Sequence, residues 1–395
     1  MNNLYRKNMD KKNFYRFIIL TLPLILFCNV SILAQEVKIS TINNNFSIID
    51  SANAVMQLSD FTGDQKHTVL AQEGKILPVN KDSSVTDTAN EYMPLSEFTW
   101  DHDLRYTMDG SLPRLKTQLN PIALEIIGAS YVTAIVGLHV IQLNAWWNYE
   151  RRSFHAEEAW AFGYQANIAG HAFGGYVCSY VMSEGLITSG FSVPDAALYG
   201  TLFGALYQSY VEIEDGFSKA WGWSPSEAMA NLIGPIFFLA QHHVPALQYI
   251  QPKWQYIPTE WTGEPNLIDH PAPTFIDDYD SSSFWWSVDI YNLLPDNLKK
   301  YWLNWLSLAL GYGSDGVASN PNPNGPPDQE ASRRVIIGLD YNLDRLLPDG
   351  PPFWNWFKQS LNLIKFPSPG VEFGPNGTRF SLFYPFKIDL GGLKF

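Results

Sequence analysis

Six polar residues stand in the least charged part of this 395-residue chain, and their spacing pairs them. Asn167 and His171 are four apart, Glu212 and Asp215 three apart, and Glu227 and Asn231 four apart. Residues three or four apart share one face of an α-helix, so three successive helices would each present a polar pair. In apolar surroundings ionisable groups are costly unless they share partners or a ligand, and convergence of the pairs would make one site. His171 with Glu212 and Asp215 has the donor types of a divalent-metal site, without HExxH or CxxC spacing. The same three could instead supply a general base with carboxylates that orient it. The structural alternative is favoured. Glu227 in a first helical turn suits the helix dipole, with Ser224 or Ser226 as cap. Asp215-Gly216 would then turn the chain, and His171 would be a hydrogen-bonded core histidine.

Other arrangements carry less. His242 and His243 are adjacent, so they point about 100° apart on a regular helix and cannot share a site. Asp277, Asp278 and Asp280 are acidic but lack the glycine and distal glutamate of an EF-hand. No Gly-rich phosphate loop, G-x-S-x-G elbow or kinase motif set occurs, and no cofactor is expected. With 26 Lys+Arg against 39 Asp+Glu the formal charge is −13, which argues against a nucleic-acid partner. Charged residues make up 16% and aromatics 15%, the reverse of a disordered solvating chain.

The elements that must position the polar pairs are four nearly uncharged segments. Pro121–Trp147 holds one acid, Glu125, while 159–183, 196–211 and 228–251 hold no Asp, Glu, Lys or Arg. Pro121, Ser192-Val193-Pro194-Asp195 and Ser224-Pro225-Ser226-Glu227 mark helix starts. The expected fold is therefore mainly α, a hydrophobic four-helix bundle over residues 115–250. Membrane embedding is favoured over a dry bundle by three features. The segments approach the length of a span. Gly170, Gly174, Gly175, Gly200 and Gly204 allow close helix approach. Trp146, Trp147, Trp160, Trp221, Trp223 and Trp254 stand at segment ends, as in an aromatic belt. Residues 251–395 read as a Trp- and Pro-rich region with a small β content. Its parts are an apolar run at 302–312, a loop at 320–327, a strand at 335–343 and a hairpin about Pro375-Asn376-Gly377.

The N-terminus reads as an export signal over residues 1–34. Five basic residues (Arg6, Lys7, Lys11, Lys12, Arg16) precede the uncharged run 17–30, with a cleavage site after Ala34. Cleavage would leave a net charge of −17 and Cys178 alone, which excludes an intramolecular disulfide. Cys28 follows Ile25-Leu26-Phe27, not the small residues of a lipidation site. Residues 35–95 form a polar lead segment with a short strand near 37–42.

Three motifs follow one another over the bundle: Asn167-Ile-Ala-Gly-His171, Glu212-Ile-Glu-Asp215-Gly216, and Ser226-Glu227-Ala-Met-Ala230-Asn231-Leu-Ile-Gly234. With Leu308-Ala-Leu-Gly-Tyr-Gly313, Leu339-Asp340 and Phe366-Pro-Ser-Pro369 they resemble the YfiM-typified family of predicted periplasmic lipoproteins. The match is to its long Bacteroidota form, distantly similar to VanZ-like membrane proteins. The resemblance covers roughly residues 115–390 and rests on Asn167, Gly170, His171, Gly216, Glu227, Asn231 and Gly234. Asn167 and Ile168 stand where the family pattern has Asp and Lys, which removes an acid and a base. The resemblance implies architecture and a cell-envelope address, not a reaction.

Two functions are carried forward. The first is a structural or accessory role in the cell envelope through contacts with membrane lipid or an envelope protein. The second is an enzyme acting on envelope lipid or cell-wall intermediates through His171, Glu212 and Asp215. The acidic mature charge and the terminal Phe395 lean towards the outer membrane.

Overall fold

A computed structural model describes residues 91–99, 105–148, 150–262, 274–317, 331–375 and 377–386, with backbone pairs at 389–390 and 393–394. The expected export signal with Cys28, the expected strand near 37–42, most of the lead segment, the 320–327 loop, Asn376 and Phe395 lie outside these residues.

The four uncharged segments are helical: α1 (Pro121–Asn144), α2 (Ala166–Thr188), α3 (Val193–Phe217) and α4 (Pro225–His243). Their starts follow local chemistry. Asn120, Ser192 and Ser224 each accept the amide of the third residue on, and a proline occupies the first turn of α1, α3 and α4. Asp215 and Gly216 lie inside α3, which runs on to Phe217, so they do not form the expected turn.

The expected four-helix bundle is not what packs. α2, α3 and α4 form a tight trio, and α1 leans on its edge through a few residues. The trio is close because glycine removes the side chain at each crossing. A Cβ on Gly200 would stand 2.6 Å from the Ser179 carbonyl oxygen, and one on Gly175 would stand 2.6 Å from Pro235 Cδ. α1 touches α2 where the Tyr131 hydroxyl donates to the Val181 carbonyl and Tyr131 fills the space beside Gly185, and touches α3 where His139 Nδ1 lies 2.5 Å from the Tyr210 hydroxyl.

The C-terminal region is a larger β structure than the sequence suggested. Six strands form one antiparallel meander in sequential order: β1 (Ile250–Tyr256), β2 (Ser282–Val288), β3 (Leu306–Asp315), β4 (Ser332–Tyr341), β5 (Ser368–Gly374) and β6 (Gly377–Tyr384). The expected hairpin is β5–β6, closed at Gly374 opposite Gly377, and the apolar run at 302–312 is mostly β3. The sheet curls until its first and last strands touch. Gln255 of β1 donates to the Tyr384 carbonyl of β6 at 3.4 Å, and the Trp285 and Tyr384 rings lie 5.8 Å apart.

Many polar side chains are buried and many large apolar ones exposed, beside buried apolar clusters about Leu186 and Val193, Tyr176 and Phe238, and Trp285 and Ile336. The interior of the helical trio holds small and polar residues such as Gly200, Thr201, Gly204, Gln208, Glu212 and Asn231. Large apolar residues point outward at helical spacing: Leu198, Leu202 and Leu206 on α3, and Met229, Leu232, Ile233 and Ile236 on α4. Leu206 and Met229 are 70% and 68% exposed. On α1, Val132, Val136, Val140 and Leu143 do the same. The curled sheet repeats the pattern. Its inner face buries Lys253, Gln255, Arg334 and Asp340, with Lys253 Nζ 2.7 Å from Asp340 Oδ2. Its outer face exposes Leu310, Ile337, Phe373 and Phe380. The helices cover chiefly the β1–β2 part of that outer face, through Phe173 against Trp254 and Phe284, and Phe237 against Trp286, while the turn before α2 reaches β3, where the Tyr312 hydroxyl donates to the Tyr164 carbonyl.

Candidate functional site

α2, α3 and α4 bring the polar pairs together. From α2, His171 Nδ1 lies 2.8 Å from Asn231 Oδ1 on α4, and Nε2 lies 3.8 Å from Glu227 Oε2. Asn231 Nδ2 donates to the Gln208 carbonyl on α3 at 3.2 Å, which fixes the amide's orientation. Oδ1 is therefore the atom facing His171, and as an acceptor it requires the proton on Nδ1. Nε2 faces the Glu227 carboxylate. Gln208 also donates to the His171 carbonyl at 3.0 Å, so α2, α3 and α4 are tied at one level.

The two glutamates are each held by one oxygen. Glu227 accepts from Asn167 Nδ2, and Asn167 Oδ1 in turn accepts from the Tyr279 hydroxyl at 2.6 Å. Glu212 accepts the backbone N–H of Ser224 at the start of α4. Its other oxygen is buried without a hydrogen-bond partner, and the residue as a whole is 1% exposed. One ligand atom from each of His171, Glu212 and Glu227 lies within 4.8 Å of the other two. Two carboxylates facing one another repel unless a proton or a cation stands between them.

This set differs from the sequence expectation in one member. Asp215 does not complete the trio with His171 and Glu212; Glu227 does. The Asp215 carboxylate is engaged elsewhere, accepting from Trp147 Nε1 at 2.6 Å. Ser224 caps α4 as expected, and Glu227 both occupies the first turn and reaches the cluster. Three partners were not foreseen from the sequence: Trp147 after α1, Tyr279 before β2, and the Ser224 amide. Trp147 carried a signal, as an aromatic at a segment end; Tyr279 sits in the acidic run 277–280 and carried none.

The cluster opens into a cavity of about 380 Å³. His171, Asn167, Glu227 and Asp215 are among its polar lining, and Leu138, Phe173, Val177, Phe284 and three tryptophans (Trp146, Trp221, Trp254) line much of the rest. Several of the tryptophans expected in a belt are thus cavity wall, and Trp160 remains on the outside. Cys178 also lines the cavity. Asp277 closes one side, and burial raises its carboxyl to about 6. A mostly apolar chamber with several polar groups in its wall, His171 among them, has the lining an amphiphile would need.

No family model, curated protein or solved structure matches this chain. The likeness to YfiM-type proteins therefore rests on the quoted motifs alone.

Proposed function

We propose that this protein is embedded in a cell-envelope membrane, where it holds an amphiphilic molecule in the cavity between α2, α3 and the start of the sheet. The observation that carries this reading is the distribution of side chains. Many small and polar residues lie in the interior, while leucine, isoleucine, valine and phenylalanine cover α1, α3, α4 and the outer sheet face. In water such a surface is unfavourable by about 25 cal/mol for each Å² of apolar area, whereas lipid removes that cost. Small interior residues are also what lets helices associate when lipid, not water, surrounds them. α1 is by itself long and apolar enough to cross a bilayer, with a mean hydropathy of 1.8. The expected export signal supports delivery to the envelope.

The role is accessory, exercised through lipid contact. Washing membranes with alkaline carbonate and high salt tests the embedding: the protein stays with the pellet, and full release would sink the proposal. The cavity is tested on protein extracted in mild detergent. About one equivalent of a lipid-class amphiphile should persist through detergent exchange and appear by mass spectrometry. A Cys178→Phe variant, with a ring in the chamber, should lose it.

A second reading, modification of that amphiphile or of a cell-wall intermediate, is favoured by one observation. The basic Nε2 of His171 and the Glu227 carboxylate both border the chamber, so a bound head group would meet a general base.

A further inference from the structure

Three groups in the helical trio are arranged as ligands with their outer supports already in place. Each has one atom fixed and one atom free. His171 gives Nδ1 to Asn231 and turns Nε2 towards the Glu227 carboxylate. Glu227 is held through one oxygen by Asn167, itself held by Tyr279. Glu212 is held through one oxygen by the Ser224 amide, and its second oxygen is buried without a partner. An outer partner that fixes tautomer and orientation while leaving the donor atom bare is the usual support of a metal ligand. Without an ion, these atoms need a proton shared between the buried carboxyls of Glu212 and Glu227, so the occupant is either that proton or a cation.

We propose that His171, Glu212 and Glu227 bind a divalent cation of the zinc class, through Nε2 and one oxygen of each carboxylate, with the remaining position open to the cavity. The donor atoms lie within 4.8 Å of one another, and the His171–Glu227 pair is at 3.8 Å. A tetrahedral ion with bonds of about 2.0–2.2 Å needs separations of about 3.3–3.6 Å, so adjustment of the free carboxylate ends closes the site. An imidazole with two carboxylates favours zinc or a neighbouring d-block ion over calcium or magnesium, which take oxygen alone. Two carboxylates balance the charge of the ion. Three protein ligands leave a position on the side where His171 and Glu227 border the cavity. This inference does not depend on what fills the cavity or on the membrane reading.

The experiment uses the full chain without a histidine tag, in detergent, stripped with a chelator and then given zinc chloride or cobalt chloride. After gel filtration, elemental analysis should find about one zinc per chain. The cobalt form should show the visible d–d bands of a low-coordinate site with nitrogen and oxygen donors. His171→Ala and Glu212→Gln should lose the metal, while Glu184→Gln, a buried acid of α2 outside the cluster, should keep it. Melting of each variant identifies those that remain folded, and Glu227→Gln replaces any that do not. Wild-type protein that elutes folded and metal-free overturns the proposal and leaves a proton shared by the two glutamates as the occupant. Undiminished binding by a folded Glu212→Gln or Glu227→Gln overturns it as well.

Discussion

Asn231 does more than its size suggests, because its one amide serves two helices. It accepts from His171 and donates to the Gln208 carbonyl, and it is fully buried. Asn231→Ala would strand a donor on one helix and an acceptor on another. The expected loss is about 1–3 kcal/mol for each buried group left unsatisfied, read as a lower denaturation midpoint in detergent. Trp147→Phe removes the N–H held by Asp215 and should cost a similar amount, while leaving the His171 cluster intact. The polar pairs were legible in the sequence because helical spacing alone puts two residues on one face. The choice between Asp215 and Glu227 was not. It depends on Trp147, which arrives from 68 residues earlier in the chain to engage Asp215 and leave Glu227 to the cluster.

At the scale of elements, glycine decides which helices pack. A Cβ on Gly234 would fall onto the Ala172 carbonyl of α2, backbone that cannot move aside without separating α2 from α4. Gly234→Ala should therefore cost about 1–3 kcal/mol or more. Gly128 on α1 has nothing within 4 Å of the same added atom. Gly128→Ala should instead gain about 0.5–1 kcal/mol from reduced backbone entropy in the unfolded chain. Thermal melts of the two variants check both signs together. Opposite signs from one substitution would separate the packed trio from the peripheral α1. The helices could be read from their uncharged runs and caps, but the loose attachment of α1 could not, since its composition matches that of its neighbours. The sheet was mostly missed for a related reason. β3 reads Leu306-Ser-Leu-Ala-Leu-Gly-Tyr-Gly313, an alternation of large and small residues instead of apolar and polar ones. Small residues face inward because Trp285 lies across them; a Cβ on Gly311 would stand 2.7 Å from its ring.

For the molecule as a whole, buried carboxyls outside the four long helices set a pH dependence. Burial raises Asp280 and Asp344 each to about 7, above the usual value of about 4. Their folded values exceed the unfolded ones, so the stability they contribute is full below pH about 4 and lost as pH rises through about 7. Melting temperature should fall between pH about 4 and about 7. Asp280→Asn keeps an acceptor for the Val317 amide, at 2.8 Å in the native protein, and should flatten part of that slope. A variant whose melting profile parallels the wild type at every pH would show that Asp280 ionises freely.

The outward face of Leu310, Ile337, Phe373 and Phe380 has a consequence for how the chain is made. A finished fold of this kind is least at ease in the aqueous space it would cross on the way to a membrane. Completing the sheet early would put its stickiest surface in water, where copies would adhere to one another. Under the proposed membrane embedding, lipid would be a condition for folding as well as a place to reside. Synthesis without a bilayer or detergent should give aggregate rather than a smaller yield of the same molecule.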